Sequence, residues 1–217
     1  MPNRCKVIRM TSSRKPNRRG EGAKLRPEIV AGAAAVLEET GSEDAVTLRA
    51  VARKVGIATP SIYGHFDDRD QILLAVIADA FAELDAVLVA ATTDVEAPNH
   101  LAAASAAYLT FATTRPHRYR VMFARHRTGE AGSMNETRPT DELVGAAAFG
   151  RLVDAVARHP DTAGGSPLEP AVALWVALHG YISLRDAVPA FPWPPEQAML
   201  DDLIARILRP TTTRESA

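Results

Sequence analysis

The 217-residue chain has a single cysteine, Cys5, so it can close no intramolecular disulfide and cannot by itself build a cysteine zinc site. It has no run of about 18 strongly apolar residues, so no membrane-spanning helix is expected. Its basic beginning is not followed by an apolar segment of the kind that marks a secretory signal, which favours a cytoplasmic setting. The six histidines, at 65, 100, 117, 126, 159 and 179, show no H-E-x-x-H spacing. The Glu and Glu-x-x-His repeats of helical di-metal sites are also missing. No catalytic residue, metal or cofactor is therefore expected. Alternation of apolar and polar residues, the mark of a strand, is nearly absent, and there is no internal repeat.

A formal net charge of -1 conceals an asymmetry. Of the 25 Lys and Arg, nine lie in residues 1–26, where Glu21 is the one acid; the rest of the chain carries 16 basic against 25 acidic side chains. A basic arm on an acidic body suits contact with a polyanion. The arm is expected to span residues 1–22, and Arg14, Lys15, Arg18, Arg19 and Lys24 are its candidate DNA contacts.

What the chain does have is helical periodicity. Pro27 suits a first helical turn, and Ile29, Val30, Ala33, Ala34 and Leu37 share a face before Gly41. Thr47 can cap a second helix with Leu48, Val51, Ala52 and Val55 as its apolar positions, ended by Gly56. A third is expected from about Thr59, as cap, with Pro60 at its first position. Ile62 and Phe66 then point inward, and Thr59, Ser61, Tyr63, Gly64 and His65 are left to a partner. A long helix follows over 69–91. Beyond it, helices are expected to about Thr114, from Pro116 to Arg127, over 140–158, over 168–187 and over 196–208, with a tail at 210–217. The fold class expected is all-α: a three-helix helix-turn-helix unit over 23–68, then a helical bundle over 69–209, about nine helices in total.

The stretch TLRAVARKVGIATPSIYGHF (47–66) is the most informative. Ala52 is small where two helices would cross, Gly56 frees the turn, and Ile57 and Ile62 plug the angle between them. That angle decides whether the second helix can enter a DNA groove about 12 Å wide. Residues 25–74 closely resemble the N-terminal domain of the TetR family of transcriptional regulators. Thr47, Ala52, Val55-Gly56-Ile57, Ser61, Ile62-Tyr63, His65-Phe66 and Ile72-Leu73 carry the resemblance.

The resemblance implies a sequence-specific DNA-binding regulator and not an enzyme. By it, Thr47 faces a phosphate through its hydroxyl or backbone N–H, and Arg49 reaches a base edge. Thr59, Pro60 and Ser61 lead the recognition helix, Tyr63 and His65 contact the backbone, and Arg69 meets another phosphate. Ala58 stands where a capping Ser is common, and Gly64 removes a large side chain, which narrows the reading surface.

One small unit of this kind reads DNA weakly alone, so a homodimer on an approximately palindromic double-stranded operator is expected. Leu174, Leu178, Ile182, Leu200, Leu203, Ile204 and Ile207, in the last two helices, are the candidate dimer surface. Trp175, His179 and Gly180 resemble the WHG-type C-terminal ligand-binding and dimerisation domain of a TetR subgroup. That likeness implies a pocket for a small, mainly apolar effector, with Tyr108, Phe111, Met122, Phe123, Phe149, Trp175 and His179 as candidate lining. Most members of the family repress, and effector binding would release the operator. The rival reading is an all-helical ligand-binding protein or enzyme with no DNA role. If the arm tracks phosphates, deleting residues 1–22 should flatten the log–log dependence of DNA affinity on salt by about one unit for each phosphate the arm neutralises. An unchanged slope in mobility-shift titrations at several salt concentrations would remove the arm from the interface.

Overall fold

The computed structural model describes residues 22–124, 144–162 and 165–208. Eight α-helices and a six-residue 3-10 helix, Thr59–Gly64, are the principal elements among these residues, with no strand. The α-helices are α1 (Gly22–Thr40), α2 (Leu48–Val55), α3 (Arg69–Thr92), α4 (His100–Thr114), α5 (Pro116–Ala124), α6 (Ala146–Ala157), α7 (Leu168–Ala187) and α8 (Glu196–Ile207). The all-α expectation holds. The predicted loop at 128–139 and the residues that would open the helix at 140 lie outside the described residues, as do Arg14, Lys15, Arg18 and Arg19. Lys24 is described, and it lies on the first turn of α1 rather than in an arm.

Two apolar cores form. The first collects Ile29, Ala33 and Leu37 of α1, Val51 and Ala52 of α2, Ile62, Phe66, and the start of α3. The second is built from α4, α6, α7 and α8 around Leu84 and Leu88 of α3. α3 belongs to both: Ile72, Leu73, Val76 and Ile77 enter the first core and Ala80, Leu84 and Leu88 the second. Its 24 residues make a rod about 36 Å long. α5 also straddles the pair, with Val121 in the first core and Tyr119 and Met122 in the second. Asp68 starts α3 by accepting a hydrogen bond from the Gln71 N–H at 2.8 Å.

α1 and α2 meet at Gly32, where a Cβ atom would stand 2.4 Å from Cγ2 of Val55. Gly32 thus leaves the room that Val55 fills between α1 and α2. Gly41, with φ of 66°, ends α1 against the ring of His117, and Gly145, with φ of 95°, opens α6 beneath Phe81. Gly32→Val should push α2 off α1 and cost about 1–3 kcal/mol in urea unfolding, because overpacking outweighs any gain in helix propensity. A variant as stable as the parent would mean that Val55 turns aside freely.

Candidate nucleic-acid interface

Thr47 caps α2: its Oγ1 accepts from the Ala50 N–H at 3.1 Å. Its own N–H donates to the Ala45 carbonyl at 2.9 Å, so only the hydroxyl hydrogen remains for a phosphate, not the backbone N–H. Gly56 closes the helix in the left-handed region, φ 76° and ψ 36°, with its N–H donating to the Ala52 carbonyl. A Cβ at Gly56 would meet nothing within 4 Å, so the backbone angle and not space selects glycine there.

The element after the turn departs from expectation. It is a 3-10 helix rather than an α-helix, and Ala58, not Thr59, holds the cap position, with no side-chain cap. Alanine has no oxygen to satisfy the first N–H groups, so the turn tightens; the Ser61 N–H donates to the Ala58 carbonyl at 2.9 Å. Ile62 is wholly buried and Phe66 nearly so, as the spacing predicted. Burying two such side chains contributes about 1.5–3 kcal/mol each and pins the element to the core. With three residues per turn, Pro60 and Tyr63 align in one outward column and Ser61 and Gly64 in another. All four are exposed, Tyr63 at 57%. Thr59 and His65 are half-buried at the flanks, and Arg49 is exposed on α2.

Two arginines act as fasteners. Arg69, expected to reach a phosphate, instead donates from Nε to the Val46 carbonyl at 3.0 Å and from a terminal nitrogen to the Glu43 carbonyl at 2.6 Å. Asp44 and Asp70 each lie 3.7 Å from its guanidinium. It clips the start of α3 to the loop before α2. Arg26 was not singled out from the sequence. It lies 4.1 Å over the Phe66 ring and donates to the His65 carbonyl at 2.9 Å, tying α1 to the end of the recognition element. Only the pairing of an early arginine with a buried aromatic 40 positions on could have signalled it, and sequence spacing does not read that distance.

Behind this unit, the basic stretch at the start of α5 is tied to α1 and α3 by ion pairs. Arg118 pairs with Glu83 at 2.6 Å and Asp79 at 3.2 Å on α3 and lies 4.0 Å from Glu38 on α1. Arg115 pairs with Glu83 at 2.6 Å. The acids engaged here come from α1 and α3.

The seven candidate effector residues gather in the second core. Tyr108, Phe111 and Met122 are fully buried in it rather than lining an opening. Phe123 meets His179 with ring centroids 4.4 Å apart, and Phe149 meets Trp175 at 5.6 Å. Sequence reasoning missed Tyr119, whose hydroxyl lies 3.1 Å from that of Tyr108 and 2.7 Å from Nδ1 of His179. Burial raises the Tyr108 pKa to about 12 and also pushes Tyr119 up, while burial lowers that of His179. A cavity of about 380 Å³ lies elsewhere, between α1 and α3 beside Arg26, Val30, Ala78 and Asp79. No group of side chains suited to a metal occurs among the described residues.

On the expected dimer surface, Leu174, Leu178 and Leu200 are buried inside the chain's own core and cannot meet a partner. Ile182, Leu203, Ile204 and Ile207 pack partly against that core. The outward face of α7 is instead Leu168, Val172, Val176 and Leu184, each at least 40% exposed, with Gly180 between the last two.

Residues 29–76 match the family model for bacterial regulatory proteins of the tetR family, and residues 101–209 match that for the tetracyclin repressor-like C-terminal domain. No curated protein matches. Among solved structures, a protein of unknown function from Rhodococcus sp. RHA1 is 25% identical, with a TM-score of 0.68 over 85% of this chain and 94% of that one. The multidrug binding protein EbrR, complexed with imidazole, is 17% identical, with a TM-score of 0.59 over 85% and 89%. The SmeT–triclosan complex is 20% identical, with a TM-score of 0.57 over 89% and 99%. The last two likenesses show the fold alone.

His179 has its pKa lowered by burial. The unfolded chain therefore binds its proton more readily, and stability should be full above the ordinary histidine value of about 6.5 and fall as pH drops below it. Thermal unfolding followed from pH 8 to pH 5 should show a steeper acid decline for the parent than for His179→Phe. Parallel curves would mean that other groups carry the acid sensitivity.

Proposed function

The chain belongs to the TetR family of bacterial regulatory proteins, and from that membership we propose a homodimeric repressor that leaves its DNA when a small, mainly apolar molecule enters the helical body. It is a DNA-binding, ligand-responsive regulator and not an enzyme. The observation that carries the reading is the outward surface of Pro60, Ser61, Tyr63 and Gly64 on an element locked from behind by Ile62 and Phe66. A short rigid surface that is small apart from the exposed Tyr63 suits close approach to base edges, with Arg49 beside it and the Thr47 hydroxyl toward a phosphate. Asp67 and Asp68 follow directly, and acids there oppose a polyanion. The basic arm and a second copy are therefore needed for affinity.

The second copy is proposed to dock on the α7 stripe. Leu168, Val172, Val176, Gly180 and Leu184 recur every four residues, one ridge of a helix, and exposed Val188 and Phe191 extend it. At Gly180 an added Cβ would meet nothing of this chain, so a neighbouring helix can approach closely. The effector reading draws on two relatives of the same fold, one complexed with triclosan and one with imidazole. The ionic fastening of α5 to α1 and α3 offers the route from body to reading head. An effector that prefers a shifted α5 must also shift Arg118 and its partners, and with them α1. No helix of the described residues is long and apolar enough to cross a membrane, and the proposed place of action is the cytoplasm, at the nucleoid when bound.

The first test is selection of duplexes from a random pool by the full chain, followed by mobility shift. A recovered inverted repeat is expected, and a pool that stays random would refute the operator reading. Val176→Glu should shift sedimentation toward a monomer and weaken operator binding at least about tenfold, since an unpaired charge is buried at the interface. A dimeric Val176→Glu would place the interface elsewhere.

A further inference from the structure

We propose that the groove between α1 and α3 binds a small apolar monocarboxylate, held by the Arg26 guanidinium, and that this ligand loosens the end of the reading element. The site is separate from the helical body in which the effector is placed above, and it lies on the reading unit itself.

The groove is a cavity of about 380 Å³, within the range of small-molecule sites. Its walls are Pro27, Val30 and Ala31 on α1 and Ala75, Ala78 and Ala82 on α3. Alanines on both helices leave open the space that longer side chains would fill. The result is an apolar lining that a ligand's carbon skeleton can cover.

Two charged residues complete the lining, Arg26 and Asp79. They stand apart. Arg26 lies over Phe66, three residues before α3 begins, whereas Asp79 lies ten residues along α3, about 15 Å of helix. The groove therefore has a cationic end and an acidic end, and their charges are engaged differently. Asp79 accepts from Arg118 at 3.2 Å. A ligand cation would have to compete with Arg118 there and would face Arg26 at the other end. Arg26 donates to the His65 carbonyl at 2.9 Å and sits 4.1 Å from the Phe66 ring centroid. That bond uses one of the five N–H donors of a guanidinium, and the ring contact needs none. The other donors keep the fork geometry that grips a carboxylate through two bonds. Holding the guanidinium in advance also reduces the side-chain freedom lost when a ligand binds. Asp79 opposes a second carboxylate, so a monoacid is favoured over a diacid.

The same guanidinium fastens the reading element. His65 closes the 3-10 helix Thr59–Gly64, and its carbonyl is the group that Arg26 holds. A carboxylate on Arg26 competes with that carbonyl. Its binding therefore favours a state in which the end of the element is released to water.

Three probes built on one ring system test the site: 2-naphthoate, 2-naphthamide and 2,6-naphthalenedicarboxylate. Equilibrium dialysis with the full chain at neutral pH should show naphthoate bound about fivefold tighter than the amide, the worth of one exposed ion pair. The dicarboxylate should bind more weakly than naphthoate despite its extra charge. Arg26→Gln should bring naphthoate and the amide together. Ala78→Phe, which fills the groove from an exposed position, should remove binding of both. In the parent, methyl NMR should show naphthoate shifting Val30, Ala75 and Ala78 but not Leu152 or Leu174 of the second core. This measurement decides the matter if a variant does not fold. Naphthoate should weaken binding to the selected duplex, and Arg26→Gln should bind that duplex more weakly than the parent and no longer respond to naphthoate. Equal affinity for acid and amide, preference for the diacid, no binding of any probe, or unchanged DNA affinity of the naphthoate-loaded parent would each overturn the proposal. The two readings fail separately. Methyl shifts confined to the second core sink the groove and leave the body effector standing, whereas a duplex pool that stays random sinks the operator and leaves the dialysis and NMR results to judge the groove.

Discussion

A single helix that two cores must share governs this molecule. α3 gives Ile72, Leu73, Val76 and Ile77 to the reading unit and Ala80, Leu84 and Leu88 to the body, and Phe81 packs against both. Because the helix is continuous, neither core can rotate about it without breaking backbone hydrogen bonds or exposing one set of side chains. Motion is left to tilting of the rod as a whole. The elements that restrain tilt are therefore those that cross from one core to the other. α5 does so twice, by burying Val121 on one side and Tyr119 and Met122 on the other, and by pairing Arg115 and Arg118 with acids of α1 and α3. Half-exposed ion pairs of this kind add little to stability. Their value lies in fixing relative position, because each pair tolerates only a short range of displacement.

The reading unit shows the same division between burial and exposure on a smaller scale. Apolar burial of Ile62 and Phe66 sets where the 3-10 helix lies, and everything it presents outward is small or carries its polar group at the tip. Arg69 and Arg26, which composition would offer to DNA, are occupied with carbonyls of the protein itself. A surface so poor in free cations can supply shape and base-edge contacts but little of the phosphate attraction that dominates affinity.

In the body, the hydroxyls of Tyr108 and Tyr119 and the imidazole of His179 form a hydrogen-bonded line through a mainly apolar core. The line runs from the buried Tyr108 through Tyr119 to the half-buried His179. Apolar residues of similar volume would fill the same space at less risk, and the buried hydroxyls are tolerated because each has a hydrogen-bond partner.

The sequence by itself determined the all-helical class, the helix borders at 168–187 and from 196, the turn at Gly56 and the inward positions Ile62 and Phe66. These follow from local periodicity and backbone preference, which act within a few residues. It also placed Tyr63, Ser61 and Arg49 outward. Tertiary structure alone decided which apolar face of α7 is covered: Leu174 and Leu178 share a helix with Val172 and Val176, and only the packing of α4, α6 and α8 tells buried from free. It alone turned Arg69 and Arg118 into internal fasteners, found Gly32 opposite Val55, and brought Tyr119 to His179 across 60 positions. Those choices depend on which distant groups arrive at contact distance, and charge, size and hydrogen-bond capacity are satisfied there rather than along the chain.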